Sequence, residues 1–75
     1  MKTYKNKSGG SGIKGYENLS DGIRVEFTDG SLYLYNYATN GQRKIEDMKA
    51  LAENGIGLTT YINKNIRDNF AEKIR

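Results

Sequence analysis

The sequence contains no cysteine, no histidine and no proline. Without cysteine there can be no disulfide framework, and without thiolate or imidazole ligands there is no ordinary zinc site. The absence of proline leaves any helix without its strongest interrupter. We therefore expect no metal and no cofactor, and a core that depends on apolar packing or on self-association.

Long hydrophobic runs are also missing. No apolar stretch approaches the roughly 20 residues that a membrane-spanning helix requires, and the chain does not open with the pattern of a signal peptide. Its 75 residues are enough for one small domain. These features predict a single cytoplasmic domain that does not bind membranes.

Groups suited to catalysis are scarce. General acid–base chemistry usually needs a histidine or two carboxylates with separated pKa values, and the serine and threonine hydroxyls have no base to activate them. No glycine-rich phosphate loop precedes a helix. Four carboxylates lie on predicted turns or on an exposed sheet face, which is typical of solvated groups: Glu17, Asp21, Glu26 and Asp29. The sequence therefore predicts a protein that is not an enzyme.

Positive charge is concentrated at the start of the chain. The sequence has 12 basic and 9 acidic residues, and Lys2, Lys5 and Lys7 lie in its first seven positions without an acidic neighbour. The remaining basic and acidic residues balance, so the excess charge belongs to this segment. Glycine and serine dominate the residues that follow, which is typical of a flexible chain. We predict a flexible basic tail over 1–11 and one domain over 12–75.

Alternating apolar and polar residues predict an antiparallel hairpin. The runs 23–28 and 31–37 both alternate, and the Asp29-Gly30 pair between them favours a two-residue type I′ turn. A weaker run over 13–17 indicates an irregular first strand. The sequence therefore predicts a three-stranded antiparallel meander.

A two-residue turn at Asp29-Gly30 would fix the register of the hairpin and place Arg24 opposite Tyr35. Because successive side chains of a strand point to opposite faces, this register separates two sets of residues. One set is apolar and forms what we call the aliphatic face, and the other set combines tyrosine with charged residues. The first consists of Ile23, Val25, Phe27, Leu32 and Leu34, and the second of Arg24, Glu26, Tyr33, Tyr35 and Tyr37.

Two helices are predicted after the strands. The first begins at a capping box that starts at Thr39 and ends at Asn54-Gly55, and the second begins at Thr59 or Thr60. Both should pack on the aliphatic face of the hairpin, which gives a β-β-β-α-α domain of the α+β class. The apolar residues at helical spacing are Ile45, Met48, Leu51 and Ala52 in the first helix, and Ile62, Ile66, Phe70 and Ile74 in the second.

Several short motifs follow one another in a recognisable order between Tyr16 and Phe70. They are Gly15-Tyr16, Val25-Glu26-Phe27, Asp29-Gly30-Ser31, Tyr33-Leu34-Tyr35, Gly57-Leu58-Thr59-Thr60-Tyr61-Ile62 and Asn65-Ile66-Arg67. In order and spacing they resemble the KTSC domain, which occurs at the C-terminus of some lysyl-tRNA synthetases and as a free-standing bacterial protein. The family has no established activity, and its synthetase context implies RNA binding as an expectation.

The tyrosine-bearing face is the predicted functional site. Tyr33, Tyr35 and Tyr37 would project side by side at intervals of about 7 Å, with Arg24 across from the middle ring. A row of rings beside a guanidinium is how many sheets stack unpaired bases. Burial of the rings under a helix or a second subunit is an equally good explanation. The predicted nucleic-acid-binding residues are Tyr33, Tyr35, Tyr37, Arg24, Arg67 and Lys64.

The leading hypothesis is therefore a non-catalytic module that binds RNA or other single-stranded nucleic acid. The alternative is a protein-interaction or self-association module, in the simplest case a weak homodimer. A short meander has two exposed edges that can each accept a strand from a partner, and an uncovered tyrosine face would also suit a protein interface.

Overall fold

The computed structural model describes residues 1–7 and 9–75, and over these residues it combines an antiparallel sheet with helices on one side. The predicted α+β class is confirmed. The strands are β1 (Lys2–Thr3), β2 (Ile13–Asn18), β3 (Gly22–Phe27), β4 (Leu32–Asn36) and β5 (Glu72–Lys73). The helices are α1 (Tyr37–Asn40), α2 (Gln42–Asn54) and α3 (Leu58–Tyr61), and a π-helical segment over Ile62–Ile66 continues α3.

The sheet has five strands in the described residues, in the order of the sequence, where the prediction had three. The predicted meander corresponds to β2, β3 and β4. At one edge β1 pairs with β2, with Lys2 opposite Tyr16, and at the other β5 pairs with β4, with Glu72 opposite Leu34. Each of the added strands has two residues, which is too short to produce an alternating pattern in the sequence.

The turn between β3 and β4 has three residues and not the predicted two. The Phe27 amide donates to the Ser31 carbonyl at 2.9 Å, and the Gly30 amide donates to the Phe27 carbonyl at 3.0 Å. Gly30 has a φ of 91°, as the third residue of such a loop requires. The Asp29 carboxylate favours this turn by accepting from the Ser31 amide at 2.9 Å and the Ser31 hydroxyl at 2.6 Å.

The longer turn shifts the register of the hairpin by one residue. Tyr35 lies opposite Ile23, and Arg24 lies opposite Leu34. The predicted pairing of Arg24 with Tyr35 is therefore wrong. Because side chains alternate between the two faces, a shift of one residue in one strand moves all its side chains to the other face.

The core lies between the helices and the sheet face that carries Ile23, Val25, Tyr33 and Tyr35. Ile23 and Val25 are fully buried and Tyr35 is 2% exposed. The predicted division into an aliphatic core face and a tyrosine outer face is thus wrong, since the tyrosines of β4 point towards the helices. Leu32 and Leu34 point to the opposite face, where they pair with Glu26 and Arg24. The helical residues of the core are Ile45, Met48, Ala52, Leu58, Ile62 and Ile66.

The first residues of the chain belong to the same fold. Tyr4 is 3% exposed and lies in the core, where its hydroxyl accepts a hydrogen bond from the Leu58 amide at 3.3 Å. Its own amide donates to the Lys14 carbonyl at 3.0 Å, and the Lys7 amide donates to the Gly55 carbonyl at 2.7 Å. The prediction of a flexible tail over 1–11 is therefore wrong for the described residues of that segment.

The first predicted helix is divided in two. Asn36 caps α1 by accepting from the Thr39 amide at 3.1 Å, so Thr39 lies inside a helix and does not cap one. Gly41, with a φ of 85°, separates α1 from α2. The predicted end of α2 is confirmed, since Gly55 follows it in the left-handed conformation with a φ of 76°.

The second predicted helix is shorter than expected. The helical backbone ends at Ile66, and the next residue, Arg67, has a φ of 55° and a ψ of −125°. The chain then turns back along the sheet. Phe70 and Ile74 therefore lie outside the helix, contrary to the prediction. Phe70 still packs against the core from this non-helical segment. No helix in the described residues is long and apolar enough to cross a membrane.

Candidate functional site

A surface cleft of about 430 Å³ lies between the β3–β4 turn and the end of the π-helical segment. Its volume is in the range of sites that hold small ligands or single side chains. We call it the aromatic cleft. Its aromatic lining consists of Phe27, Tyr33, Tyr35 and Phe70, and its other lining residues are Gly12, Thr28, Asp29, Ser31, Ile62, Asn63, Arg67 and Asp68.

Tyr33 is the centre of the aromatic cluster. Its ring centroid lies 5.6 Å from that of Phe27 at an interplanar angle of 80°, and 4.8 Å from that of Phe70 at 54°. Both are within the range of favourable aromatic pairs. The three rings are only partly buried, so they present a wall of flat apolar surface to the cleft. They come from β3, β4 and the segment after the π helix, which fixes their relative positions.

Tyr35 is the most buried aromatic residue in the cleft lining. Its centroid lies 6.4 Å from that of Tyr33, but only 2% of the residue is exposed. Burial, with a smaller contribution from the charge of Tyr33, raises the pKa of Tyr35 to about 12. The phenol is therefore neutral at physiological pH and contributes packing and not charge.

The rim of the cleft carries groups of both signs. Arg67 and Asp68 are exposed, and the Lys73 ammonium lies 5.8 Å from the centroid of the Tyr33 ring, within the range of a cation–π contact. The hydroxyl and amide of Ser31 hold the pKa of Asp29 below its usual value, because both donate hydrogen bonds to the carboxylate. Asp29 is consequently ionised at neutral pH and serves to shape the turn.

Three of the predicted site residues line the aromatic cleft, namely Tyr33, Tyr35 and Arg67. The predicted row of three exposed rings beside Arg24 does not form, because the register shift places Arg24 on the opposite face of the sheet. There its guanidinium contacts the Glu17 carboxylate at 2.8 Å. Whether the three cleft residues bind nucleic acid stays a prediction.

Tyr37 and Lys64 lie outside the cleft lining. Tyr37 is the first residue of α1, and its hydroxyl donates to the Glu46 carboxylate at 2.6 Å. The Lys49 ammonium lies 5.7 Å from the Tyr37 ring centroid. Lys64 is exposed on the π-helical segment, three residues before Arg67, so it can contribute positive charge near the cleft without lining it.

Sequence reasoning missed Phe27, Phe70 and Lys73 as members of the site. Phe27 was assigned to the aliphatic face, and a three-residue turn would have placed it beside Tyr33. Phe70 was assigned to a helix that ends earlier. Lys73 reaches Tyr33 because the two residues are directly opposite across β4 and β5, and a two-residue strand leaves no signal in the sequence.

A second cluster of polar groups lies beside a surface depression near Lys2 and Tyr16. The Glu53 carboxylate accepts hydrogen bonds from the Tyr16 hydroxyl at 2.8 Å and from the Asn18 side chain at 3.1 Å, and it contacts the Lys2 ammonium at 3.4 Å. The Tyr16 hydrogen bond lowers the pKa of Glu53. The Glu53 carboxylate thus has three protein partners, and these contacts join β1 and β2 to α2. Within the described part of the chain, no group of three or more acidic side chains is arranged to hold a metal ion.

Comparison with known proteins adds no assignment. No family model, curated protein or solved structure matches this chain. The resemblance to the KTSC domain stays a prediction, and the function has to be argued from the aromatic cleft itself.

Proposed function

We propose that this protein is a non-catalytic module that binds RNA or another single-stranded nucleic acid, with an unpaired base held in the aromatic cleft. The observation that carries the proposal is the aromatic cluster in which the Tyr33 ring contacts both Phe27 and Phe70, with all three residues partly open to solvent. Stacking of a base on such a ring contributes about 1–3 kcal/mol and tolerates any base. The cluster thus offers a place for one or two bases.

Positive charge beside the cleft supports a ligand with phosphates. Arg67 lines the cleft and is exposed, and a guanidinium can donate two hydrogen bonds to one phosphate. The Lys73 ammonium lies over the Tyr33 ring. Lys64 lies on the π-helical segment, three residues before Arg67. Two or three phosphate contacts would give a shallow dependence of affinity on salt, with a slope of about −0.7 per phosphate for a single strand.

The titratable groups of the cleft support binding without catalysis. A general acid needs a carboxyl pKa raised towards neutrality, whereas hydrogen bonds from Ser31 lower the pKa of Asp29. Burial raises the pKa of Tyr35 to about 12, which keeps its proton in place. The sequence offers no histidine to replace them.

The test is a titration of short labelled single-stranded RNA with the protein, followed by fluorescence anisotropy at low salt. Tyr33→Leu removes the central ring while keeping an apolar side chain, and it should weaken binding by about tenfold or more if one stacked base is lost. Arg67→Gln should weaken binding and also reduce the salt slope by about 0.7.

The other predicted site residues provide the controls. Arg24→Gln changes a guanidinium on the opposite face of the sheet, and Tyr37→Phe removes a hydroxyl that is bonded to Glu46. Both variants should bind RNA as the unchanged protein does. If Tyr33→Leu and Arg67→Gln are folded and retain full affinity, the nucleic-acid proposal for the cleft is wrong.

A second candidate function is the binding of a protein partner at the same cleft. The carboxylates of Asp29 and Asp68 line it, and they would repel phosphates but attract a peptide with an aromatic residue beside lysine or arginine. Partner binding by strand addition has less support, since β1 and β5 at the sheet edges have only two residues each. Replacing both aspartates by asparagine separates the candidates, since it should strengthen RNA binding and weaken binding of a basic peptide.

A further inference from the structure

Residues 68–75 leave the helical segment and lie along the outer edge of β4. Backbone hydrogen bonds to β4 hold them there. The Ala71 amide donates to the Leu34 carbonyl at 2.7 Å, the Ile74 amide donates to the Leu32 carbonyl at 2.7 Å, and the Leu32 amide donates to the Arg75 carbonyl at 3.1 Å. We call residues 68–75 the edge segment.

Four side chains anchor the edge segment. The Asn69 side chain donates to the Thr39 carbonyl at 2.9 Å, and the Lys73 ammonium lies 5.8 Å from the Tyr33 ring centroid. Phe70 packs against Tyr33 in the aromatic cluster, and the Arg75 guanidinium contacts the Glu26 carboxylate at 2.8 Å and the Gly30 carbonyl at 3.3 Å. Every residue from 71 to 75 is exposed. The segment is therefore attached by a partly buried ring, an ion pair, side-chain hydrogen bonds, a cation–π contact and its backbone hydrogen bonds. None of its side chains lies in the centre of the core.

Arg67 is the joint between the edge segment and the rest of the chain. Its φ of 55° and ψ of −125° form a combination that glycine adopts readily and that strains a residue with a side chain. This conformation turns the chain back onto its own sheet. An extended Arg67 would release the strain and direct the edge segment away from the molecule.

We infer that two copies of this chain associate by exchanging their edge segments, so that each segment lies along β4 of the other copy. Such an exchange remakes the same hydrogen bonds and side-chain contacts between molecules, because the exchanged segments are identical. It also relaxes the strained backbone at both joints. In this dimer, Phe70 of the second copy completes the aromatic cleft. The inference does not depend on which ligand the cleft binds.

A cross-linking experiment tests the exchange directly, because the chain has no cysteine of its own. Leu34→Cys and Glu72→Cys are prepared as separate proteins, mixed at high concentration and oxidised. Positions 34 and 72 are directly opposite across β4 and β5, so a disulfide between the two proteins forms readily when the segments exchange. The matched control replaces Leu34→Cys by Lys14→Cys, which places the thiol on another strand and reports random collision.

Variants of Arg67 provide the second measurement, by sedimentation over a range of protein concentrations. Arg67→Gly removes the strain of the closed form and should raise the dimer dissociation constant by about tenfold or more. Arg67→Val keeps the backbone amide but tolerates a positive φ even less than arginine does, so it should lower that constant. Neither measurement contains nucleic acid, so its outcome is separate from that of the RNA titration.

The inference is overturned if the 34–72 disulfide is no more abundant than the 14–72 disulfide. It is also overturned if folded Arg67→Val sediments as a monomer at every concentration. If Arg67→Val does not fold, the cross-linking result decides alone.

Discussion

Tyr35 of β4 lies opposite Ile23 of β3, with both side chains under the helices at 2% and 0% exposure. Directly opposite residues share one face of the sheet, and their contacts are a main source of its stability. On the other face, Arg24 lies opposite Leu34 and contacts Glu17 through a partly exposed ion pair. A substitution on the face under the helices, as at Tyr35, should therefore reduce stability more than a substitution on the opposite face, as at Arg24.

Replacement of Tyr35 by alanine should lower the free energy of unfolding by about 3–5 kcal/mol, since loss of a buried aromatic leaves a cavity. Arg24→Ala should cost at most about 1 kcal/mol, because exposed ion pairs contribute little. Urea unfolding of both variants measures the difference. Equal losses of stability in the two variants would contradict the observed register.

The Tyr4 hydroxyl should contribute measurably to stability. Tyr4→Phe leaves the buried amide of Leu58, which donates to that hydroxyl, without a partner, at a cost of about 1–3 kcal/mol. Tyr61→Phe is the matched control, because the Tyr61 hydroxyl donates to the exposed Asp47 carboxylate, and its cost should be within about 0.5 kcal/mol. Denaturant unfolding of the pair tests whether the first residues are docked, and an unchanged Tyr4→Phe protein would show that they are not.

Gly30 should be required for the β3–β4 turn. Its φ is 91° and a methyl group there would meet no atom within 4 Å, so Gly30→Ala isolates the cost of the backbone conformation, about 1–2 kcal/mol. Gly10 has equal space but no positive φ. Gly10→Ala should therefore be neutral or stabilise the fold by up to about 1 kcal/mol. Thermal unfolding compares the two, and equal effects would exclude the left-handed turn.

Alkaline pH should unfold the protein through Tyr16 and Tyr35. Burial raises the pKa of each from 10.0 to about 12, with a further contribution for Tyr16 from its hydrogen bond to Glu53. Since the folded pKa exceeds the unfolded value, the stabilisation is fully present below pH 10 and decreases as the pH rises from 10 to 12.

Phenolate absorbance and denaturant unfolding across this range provide the measurement. The absorbance change from Tyr16 and Tyr35 should appear above pH 10, together with the loss of folded protein. Ionisation of Tyr16 and Tyr35 near pH 10.0 in a protein that stays folded would contradict the burial of these two residues.

Much of the fold could be predicted where the signal is local. Alternation of apolar and polar residues identified β3 and β4, since each strand presents one side to the core. Helical spacing located Ile45, Met48 and Ala52 on the buried side of α2. Gly55 marked the end of that helix because a left-handed residue there favours glycine.

The candidate site could be predicted only in part. Tyr33, Tyr35 and Arg67 were selected from their residue types and do lie at one cleft, but their exposure and neighbours depend on the register. That register follows from one additional residue in the turn, where Asp29 bonds to Ser31 and the Thr28 amide donates to the Gly12 carbonyl at 2.8 Å. The Gly12 contact comes from a distant part of the chain.

The sequence by itself determined the α+β class, the central hairpin strands and the position of α2, because periodicity and glycine conformation act over a few residues. Only the tertiary structure decided which sheet face is covered, where the first residues dock and where the last helix ends. These features depend on contacts between distant segments, such as the Tyr4 hydroxyl with the Leu58 amide and Lys73 with Tyr33. A two-residue strand is stabilised by the strand that it pairs with, and its own two residues do not identify that partner strand.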